Sequence, residues 1–255
     1  MDEITTLVAV DADHMKELKL VWPTWVRHRP EILNWPLMII CDADRTEEAW
    51  RKELEFVQHP RLKLWLWSMD GASQRHKMLS GFVYGAAQVE TPWYLKLDTD
   101  AVAKEPADWY QSKWFLPDEA GRVPVFVSSP WKYSKPADVV ARLDDWADQV
   151  PELGCFPRLN LAFEPGARII SHRRIISWCF FGNTSAVREA VRYAPERLPI
   201  ASHDTFLWYV AARRGDFYRT VFMKRLGWDH ISRYRRLKAA CEAACQAPRV
   251  STPNA

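Results

Sequence analysis

Residues 92–100, Pro92-Trp93-Tyr94-Leu95-Lys96-Leu97-Asp98-Thr99-Asp100, run from a short apolar segment straight into two carboxylates. Trp93 to Leu97 has the length and composition of a buried strand, so Asp98 ends the strand and Asp100 lies in the loop just outside it. Carboxylates in that place are costly to leave unpaired near a core, and a hard divalent cation shared with a diphosphate is a natural partner. Taken alone, an Asp-x-Asp triplet is more often a pair of turn or helix-capping aspartates. The segments upstream decide between the two.

Thr5 to Val10 is apolar and β-branched, ends at Asp11-Ala12-Asp13, and precedes a segment from His14 to Val26 with helical spacing. Pro36 to Cys41 predicts a second strand, ending in Asp42-Ala43-Asp44, and Thr46-Glu47-Glu48 opens a helix through Val57 with acidic residues at its positive end. Arg61 to Trp67 predicts a third strand, and Gln74 to Gln88 a helix carrying Arg75 and Lys77 near its start. Four strands separated by helical segments imply an α/β fold with a parallel sheet and right-handed crossovers. Ligands in such sheets bind beyond the carboxyl ends of the strands, where Asp11, Asp42 and Asp98 all fall.

Beyond residue 105 the pattern loosens. Val123 to Ser128 predicts a strand, Ala137 to Gln149 an amphipathic helix, and 151–174 a loop. Ile175 to Phe181 predicts a further strand that meets Gly182-Asn183-Thr184, followed by helices over Ser185 to Tyr193 and Asp204 to Arg213. The end of the chain carries Arg233, Arg235, Arg236 and Lys238 on a predicted helix, then a Pro-containing tail. A solvated basic face is the first account of it, and contact with a membrane surface the second.

Composition narrows the classes. At 255 residues, 48% hydrophobic and 26% charged, the chain suits a single globular domain. A net charge of +3 is too small for a nucleic-acid coat. No apolar run reaches the roughly 18 residues of a membrane span, and the N-terminus has no signal-peptide pattern, so a cytoplasmic location is expected. Five cysteines without a CxxC pair predict reduced, mostly buried thiols. The 14 tryptophans are expected in the core rather than on sugar-stacking platforms, since most lie in apolar periodic segments.

The phrase Glu90-Thr91-Pro92-Trp93-Tyr94-Leu95-Lys96-Leu97-Asp98-Thr99-Asp100 resembles the strand-end DxD segment of GT-A glycosyltransferases of the family 2 type. That resemblance implies a Rossmann-like, mostly parallel central sheet flanked by helices, with residues 1–104 forming a nucleotide-sugar half. It further implies an acceptor-side half over 105–231 and a basic helical tail over 232–255. Asp100 would coordinate Mn²⁺ or Mg²⁺ bridging the donor diphosphate, Asp98 would contact the metal or the ribose, and Asp11 and Asp42 would lie beside base and ribose. Three later phrases extend the match. Ile175 to Gly182 with Asn183-Thr184-Ser185-Ala186-Val187-Arg188 resembles an acceptor-side segment, and Ser202-His203-Asp204 sits where the family carries its "ED" pair. Gly227-Trp228-Asp229-His230 resembles the C-terminal metal-binding histidine. Asp204 would then be the catalytic base of an inverting enzyme, and His230 a metal ligand. Position 203 is His where the family has Glu, the second strand ends Cys41-Asp42-Ala43-Asp44 rather than "DDGS", and there is no QxxRW phrase of processive synthases.

These residue types suit the chemistry of glycosyl transfer. A cation stabilises the diphosphate as it leaves, a carboxylate takes the proton of the attacking hydroxyl, and Arg75 and Lys77 at a helix start can add phosphate contacts. The donor expected is a UDP- or GDP-sugar, and the acceptor a glycan, a lipid-linked sugar or a small molecule. Other accounts stay open at this level. Asp204 with Ser202 can merely cap a helix, His230 can be a surface histidine, and Arg75 and Lys77 a solvated face. His172-Arg173-Arg174 can grip an anion or simply face solvent. Retaining transfer, phosphoester hydrolysis and non-enzymatic glycan binding are the competing functions. A sugar nucleotidyltransferase is disfavoured because Val10-Asp11-Ala12-Asp13-His14 has no glycine.

Overall fold

The computed structural model describes residues 4–68, 74–104, 109, 111–156, 158, 169–175, 178–193, 203–213, 218–222 and 228–246. Side chains are described for these except 74–79, 130–140, 169–175, 203–205, 212, 218–220 and 222.

The strand-helix alternation of the first hundred residues is present: β1 (Ile4–Val10), α1 (Met15–His28), β2 (Leu37–Asp42), α2 (Glu47–Glu53), β3 (Leu62–Trp67), α3 (Gln74–Ala87) and β4 (Trp93–Leu97). Next come β5 (Ala101–Ala103), β6 (Val123–Ser128), β7 (Pro130–Pro136), α4 (Ala137–Ala147), α5 (Pro151–Gly154) and β8 (Ile169–Ile175). The described chain closes with β9 (Cys179–Asn183), α6 (Thr184–Tyr193), α7 (His203–Arg213), β10 (Tyr218–Phe222), β11 (Trp228–His230) and α8 (Tyr234–Gln246). Two corrections follow. The segment 151–174 is not all loop, since α5 and β8 occupy parts of it. The predicted strand Ile175 to Phe181 is two elements, because Ile175 ends β8, paired with β7, and a new strand starts at Cys179. An apolar, β-branched run continuing from one strand towards the next hides such a break from periodicity.

Seven strands form one sheet in the order β10-β6-β9-β4-β1-β2-β3. β1 pairs in parallel with β2 and β4, β2 with β3, and β10 with β6, whereas β9 runs antiparallel to both β4 and β6. The sheet is therefore mostly parallel, and its two faces are read from alternate residues. Ile4, Val8 and Val10 of β1 and Trp93, Leu95 and Leu97 of β4 pack with α1, α2 and α8. Leu7 of β1 and Tyr94 of β4 face the opposite way, into α3, α4, α6 and α7. Strands covered on both faces become continuously apolar, which is why they were visible in the sequence.

Of the tryptophans with described side chains, Trp22, Trp25, Trp35, Trp50, Trp93, Trp109, Trp114 and Trp228 are buried, in line with the core expectation. Cys41, Cys179 and Cys241 are buried and every cysteine is free. On α8, Leu237, Cys241 and Ala244 are buried while Arg235, Arg236 and Lys238 face solvent, as does Arg233 just before the helix. Among the described residues no helix is long and apolar enough to cross a membrane.

Gly182 fixes one close approach. It lies opposite Tyr94 in the β4–β9 register, and a Cβ there would collide with the phenol ring, which is itself fully buried. Gly182→Ala is expected to cost about 1–3 kcal/mol by overpacking. Adding Tyr94→Leu to the same chain should recover part of the loss, a coupling that thermal melts of the two single variants and the double variant would measure.

Candidate active site

β1, β2 and β4 are parallel neighbours, so Asp11, Asp42 and Asp98 meet at one edge of the sheet. Asp11 is buried and accepts the backbone N–H of His14 at 2.9 Å, while its carboxylate pairs with His14 Nδ1 at 2.6 Å. The hydrogen bond to Asp11 holds the His14 imidazole above its ordinary pKa against the opposing pull of burial, and Glu17 and Asp98 add to the rise. The ends of β1 and β4 thus share one negative field. Asp42 is also buried. Its carboxylate accepts the Asp44 N–H at 3.1 Å and its carbonyl accepts the Trp50 indole N–H at 2.8 Å. Thr46 caps α2 by accepting from Ala49 N–H at 3.2 Å.

The Asp98-Thr99-Asp100 turn is held on three sides. Ala101 N–H donates to the Asp98 carbonyl at 3.1 Å, and Asp98 N–H donates to the Trp178 carbonyl at 2.9 Å. The buried Thr99 donates its hydroxyl to Glu17 of α1 at 2.9 Å. Lys96, one strand pitch below, reaches up to pair with the Asp98 carboxylate.

His230 arrives from far along the chain by a short strand pair. β11 runs antiparallel to β5, with Ala101 opposite His230 and Ala103 opposite Trp228, and Ile231 N–H donates to the Asp100 carbonyl at 3.2 Å. This brings His230 Nε2 to 3.1 Å from Asp100 Oδ2, and the Trp178 ring stacks on the imidazole at 5.5 Å. The Asp100 hydrogen bond raises the His230 pKa, burial and Lys96 oppose the rise, and Asp98 supports it.

Three-residue strands cannot hold themselves, and α1 supplies the grip. Trp25 Nε1 donates to the Ala101 carbonyl at 2.6 Å, and Thr24 Oγ1 accepts the Ala103 N–H at 3.3 Å. Behind β11, Trp228 packs edge-on against Trp25 and Trp109, and the wholly buried Arg29 lies over the Trp109 and Trp228 rings at 5.5 and 5.3 Å.

One donor atom each from Asp98, Asp100 and His230 lie within 4.8 Å of one another. Two carboxylate oxygens and an imidazole nitrogen at that separation suit a divalent cation of the Mn²⁺ kind, which accepts both oxygen and imidazole ligands. The other sequence-singled residues divide in two. Asp11 and Asp42 share the sheet edge with this cluster. Asp204 is in the first turn of α7, Arg75 and Lys77 are in the first turn of α3, and His172, Arg173 and Arg174 are in β8, but these side chains lie outside the described ones. Sequence reasoning passed over Lys96, Glu17, His14 and Trp178. The pattern Lys96-Leu97-Asp98 could have flagged the first, since residues two apart on a strand share a face.

No family model matches the chain, and no curated protein matches it. Among solved structures, core-mannan synthase A from Aspergillus fumigatus, in an Mn/GDP form, aligns with a TM-score of 0.53 at 11% identity, over 96% of this chain and 84% of its own. A mannosyltransferase from Pyrobaculum calidifontis, in complex with GDP-Man and Mn²⁺, aligns with a TM-score of 0.50 at 14% identity, over 88% of this chain. The chain spans 55% of the length of that protein. At such identities the likeness is one of fold, and the fold is that of GT-A-type glycosyltransferases.

Proposed function

We propose that the protein is a metal-dependent glycosyltransferase that moves one sugar from a nucleotide-diphosphate sugar to an acceptor hydroxyl. The convergence of Asp98 and Asp100, in the turn between β4 and β5, with His230 of β11, far away in sequence, is the observation that carries this reading. These three would hold Mn²⁺ or Mg²⁺ at the mouth of the sheet. A cation there supplies charge stabilisation to the departing diphosphate. The rigid turn that carries Asp98 and Asp100, tied to Glu17, Trp178 and Ile231, keeps the ligands placed before the donor arrives.

Asp11 and Asp42 sit where base and ribose would lie along the same edge, and Arg75 and Lys77 at the start of α3 are assigned to the phosphates. Asp204, in the first turn of α7, is assigned the role of base that takes the acceptor proton, which makes the enzyme inverting. UDP- and GDP-sugars are the donors proposed. GDP-mannose is the first to test, because both fold neighbours were solved with a guanosine nucleotide and manganese. The acceptor, a glycan, lipid-linked sugar or small molecule, is assigned to the 105–231 half.

The test is nucleotide release from a panel of UDP- and GDP-sugars, with simple sugars as acceptors, in Mn²⁺ and in EDTA. Metal-dependent release of UDP or GDP is expected. Hydrolysis of simple phosphate esters without any sugar donor would instead identify a phosphoesterase.

His230→Ala is expected to weaken Mn²⁺ binding by about ten-fold or more while leaving the melt nearly unchanged. Removing groups that merely support a ligand already costs 10–100-fold, and His230 is half-exposed rather than core. Titration of the free Mn²⁺ signal by electron paramagnetic resonance reads the change.

A further inference from the structure

Lys96 is out of place in β4. Its neighbours Trp93, Tyr94, Leu95 and Leu97 are apolar core residues, and its register partners are Leu7 on β1 and Phe180 on β9. The side chain is only 3% exposed, runs beneath the ring of Phe82 with the ammonium 5.5 Å from its centroid, and ends on the Asp98 carboxylate. A buried lysine is rare and costly, and an apolar side chain of the same length would usually serve stability as well or better. Nor does Asp98 need rescue, because its side chain is 39% exposed and water can solvate it. Stability therefore leaves the buried charge without an account.

Charge in the metal centre gives one. Counting the ligands and Lys96 alone, within the wider negative field of Asp11 and Glu17, Asp98 and Asp100 contribute two negative charges, Lys96 one positive and a ligating imidazole none, so the ligand set carries a net charge of −1. A divalent cation turns this into +1, which attracts a diphosphate. Without Lys96 the centre would carry −2, hold a bare cation more tightly, and be left neutral towards the anion.

We propose that Lys96 is a built-in counter-charge that keeps the centre weak for bare cation, so that metal is retained only together with the diphosphate of the donor. Lys96 is a positioning and charge-setting residue, acting through Asp98 and the field at the metal. The proposal rests on the metal-centre assignment of Asp98, Asp100 and His230.

Its test is Mn²⁺ titration by electron paramagnetic resonance of the wild type, Lys96→Met, Lys96→Gln and Lys96→Arg, each alone and with GDP or UDP, after thermal melts establish folding. The two neutral variants are expected to bind bare Mn²⁺ about ten-fold more tightly or better, and Lys96→Arg like the wild type. Nucleotide should strengthen Mn²⁺ binding at least ten-fold in the wild type and only a few-fold in the neutral variants, with the reciprocal loss in nucleotide affinity at fixed metal. Folded neutral variants that bind bare Mn²⁺ no more tightly than the wild type would overturn the proposal. So would failure of both neutral variants to fold while Lys96→Arg folds, because the charge would then be structural. A wild type that binds Mn²⁺ neither alone nor with nucleotide would mark a different failure, that of the metal centre itself, and the proposal would fall with it.

Discussion

Asp100→Asn is expected to lower kcat by about a thousand-fold or more and to remove measurable Mn²⁺ binding, with little change in the melt. In the proposed metal centre, Asp100 is the residue on which the ligand set closes. Its side chain is 14% exposed, it faces His230 Nε2 at 3.1 Å, and its backbone carbonyl accepts from Ile231. Asparagine keeps the shape and the backbone bond but gives up the anionic ligand. A cation's stabilisation of a departing diphosphate is worth several kcal/mol, and each 1.4 kcal/mol is about ten-fold in rate. Steady-state turnover with the best donor, beside Mn²⁺ titration of the same preparation, checks both halves. Activity within ten-fold of the wild type would remove Asp100 from the centre.

Arg213→Ala is expected to be the most destabilising single change. Arg213, Asp144 and Tyr209 are all buried at the contact of α4 with α7. The guanidinium donates to Asp144 at 2.6 Å and to Asp148 at 2.5 Å, and Tyr209 donates its hydroxyl to the same Asp144 oxygen at 2.5 Å. Arg213, and after it Arg158, holds the Asp148 carboxyl below its ordinary pKa. Truncating Arg213 takes the guanidinium away from the buried Asp144 carboxylate, which keeps the Tyr209 hydroxyl, a loss of about 3–5 kcal/mol. For a chain of this size that lowers the melting temperature by roughly 10 °C. Replacing both partners, Arg213→Met with Asp144→Leu, should restore much of it, since an apolar pair of similar volume removes the buried carboxylate that has lost its guanidinium. Because α7 carries Asp204 in its first turn, Arg213→Ala should also reduce turnover below what the folded fraction explains.

β1, β2 and β4 were legible because a strand buried on both faces reads as a nearly unbroken apolar run, as in Leu37 to Cys41, with Lys96 the one charged residue inside Trp93–Leu97; β3, at the edge of the sheet and only partly buried, was legible from its Leu and Trp residues. β5 and β11 were not. Ala101–Ala103 and Trp228–His230 are too short to show a period, and they exist because α1 holds one of them through Trp25 and Thr24. That pairing is what places His230 beside Asp100. The sequence could show His230 as a residue type in a family-like phrase, but not its distance to Asp100 across 130 positions. Buried charges were equally opaque. Lys96, Arg29 and Arg213 count as surface residues in any composition, and only packing reveals Phe82 beside the first, two tryptophan rings beside the second and Asp144 beside the third. The carboxylates were legible for the opposite reason, since Asp11, Asp42 and Asp98 each follow directly on a readable strand.

The most direct test of a metal-dependent nucleotide-sugar site is a thermal-shift titration of UDP, GDP, CDP and dTDP, with and without Mn²⁺, in the wild type and Asp100→Ala. A ligand bound only by the folded state raises the melting temperature in proportion to its occupancy. UDP or GDP should stabilise the wild type in Mn²⁺, do so much less without it, and leave Asp100→Ala unmoved. A wild type that no nucleotide stabilises, or that nucleotide stabilises equally with and without the metal, would contradict the account.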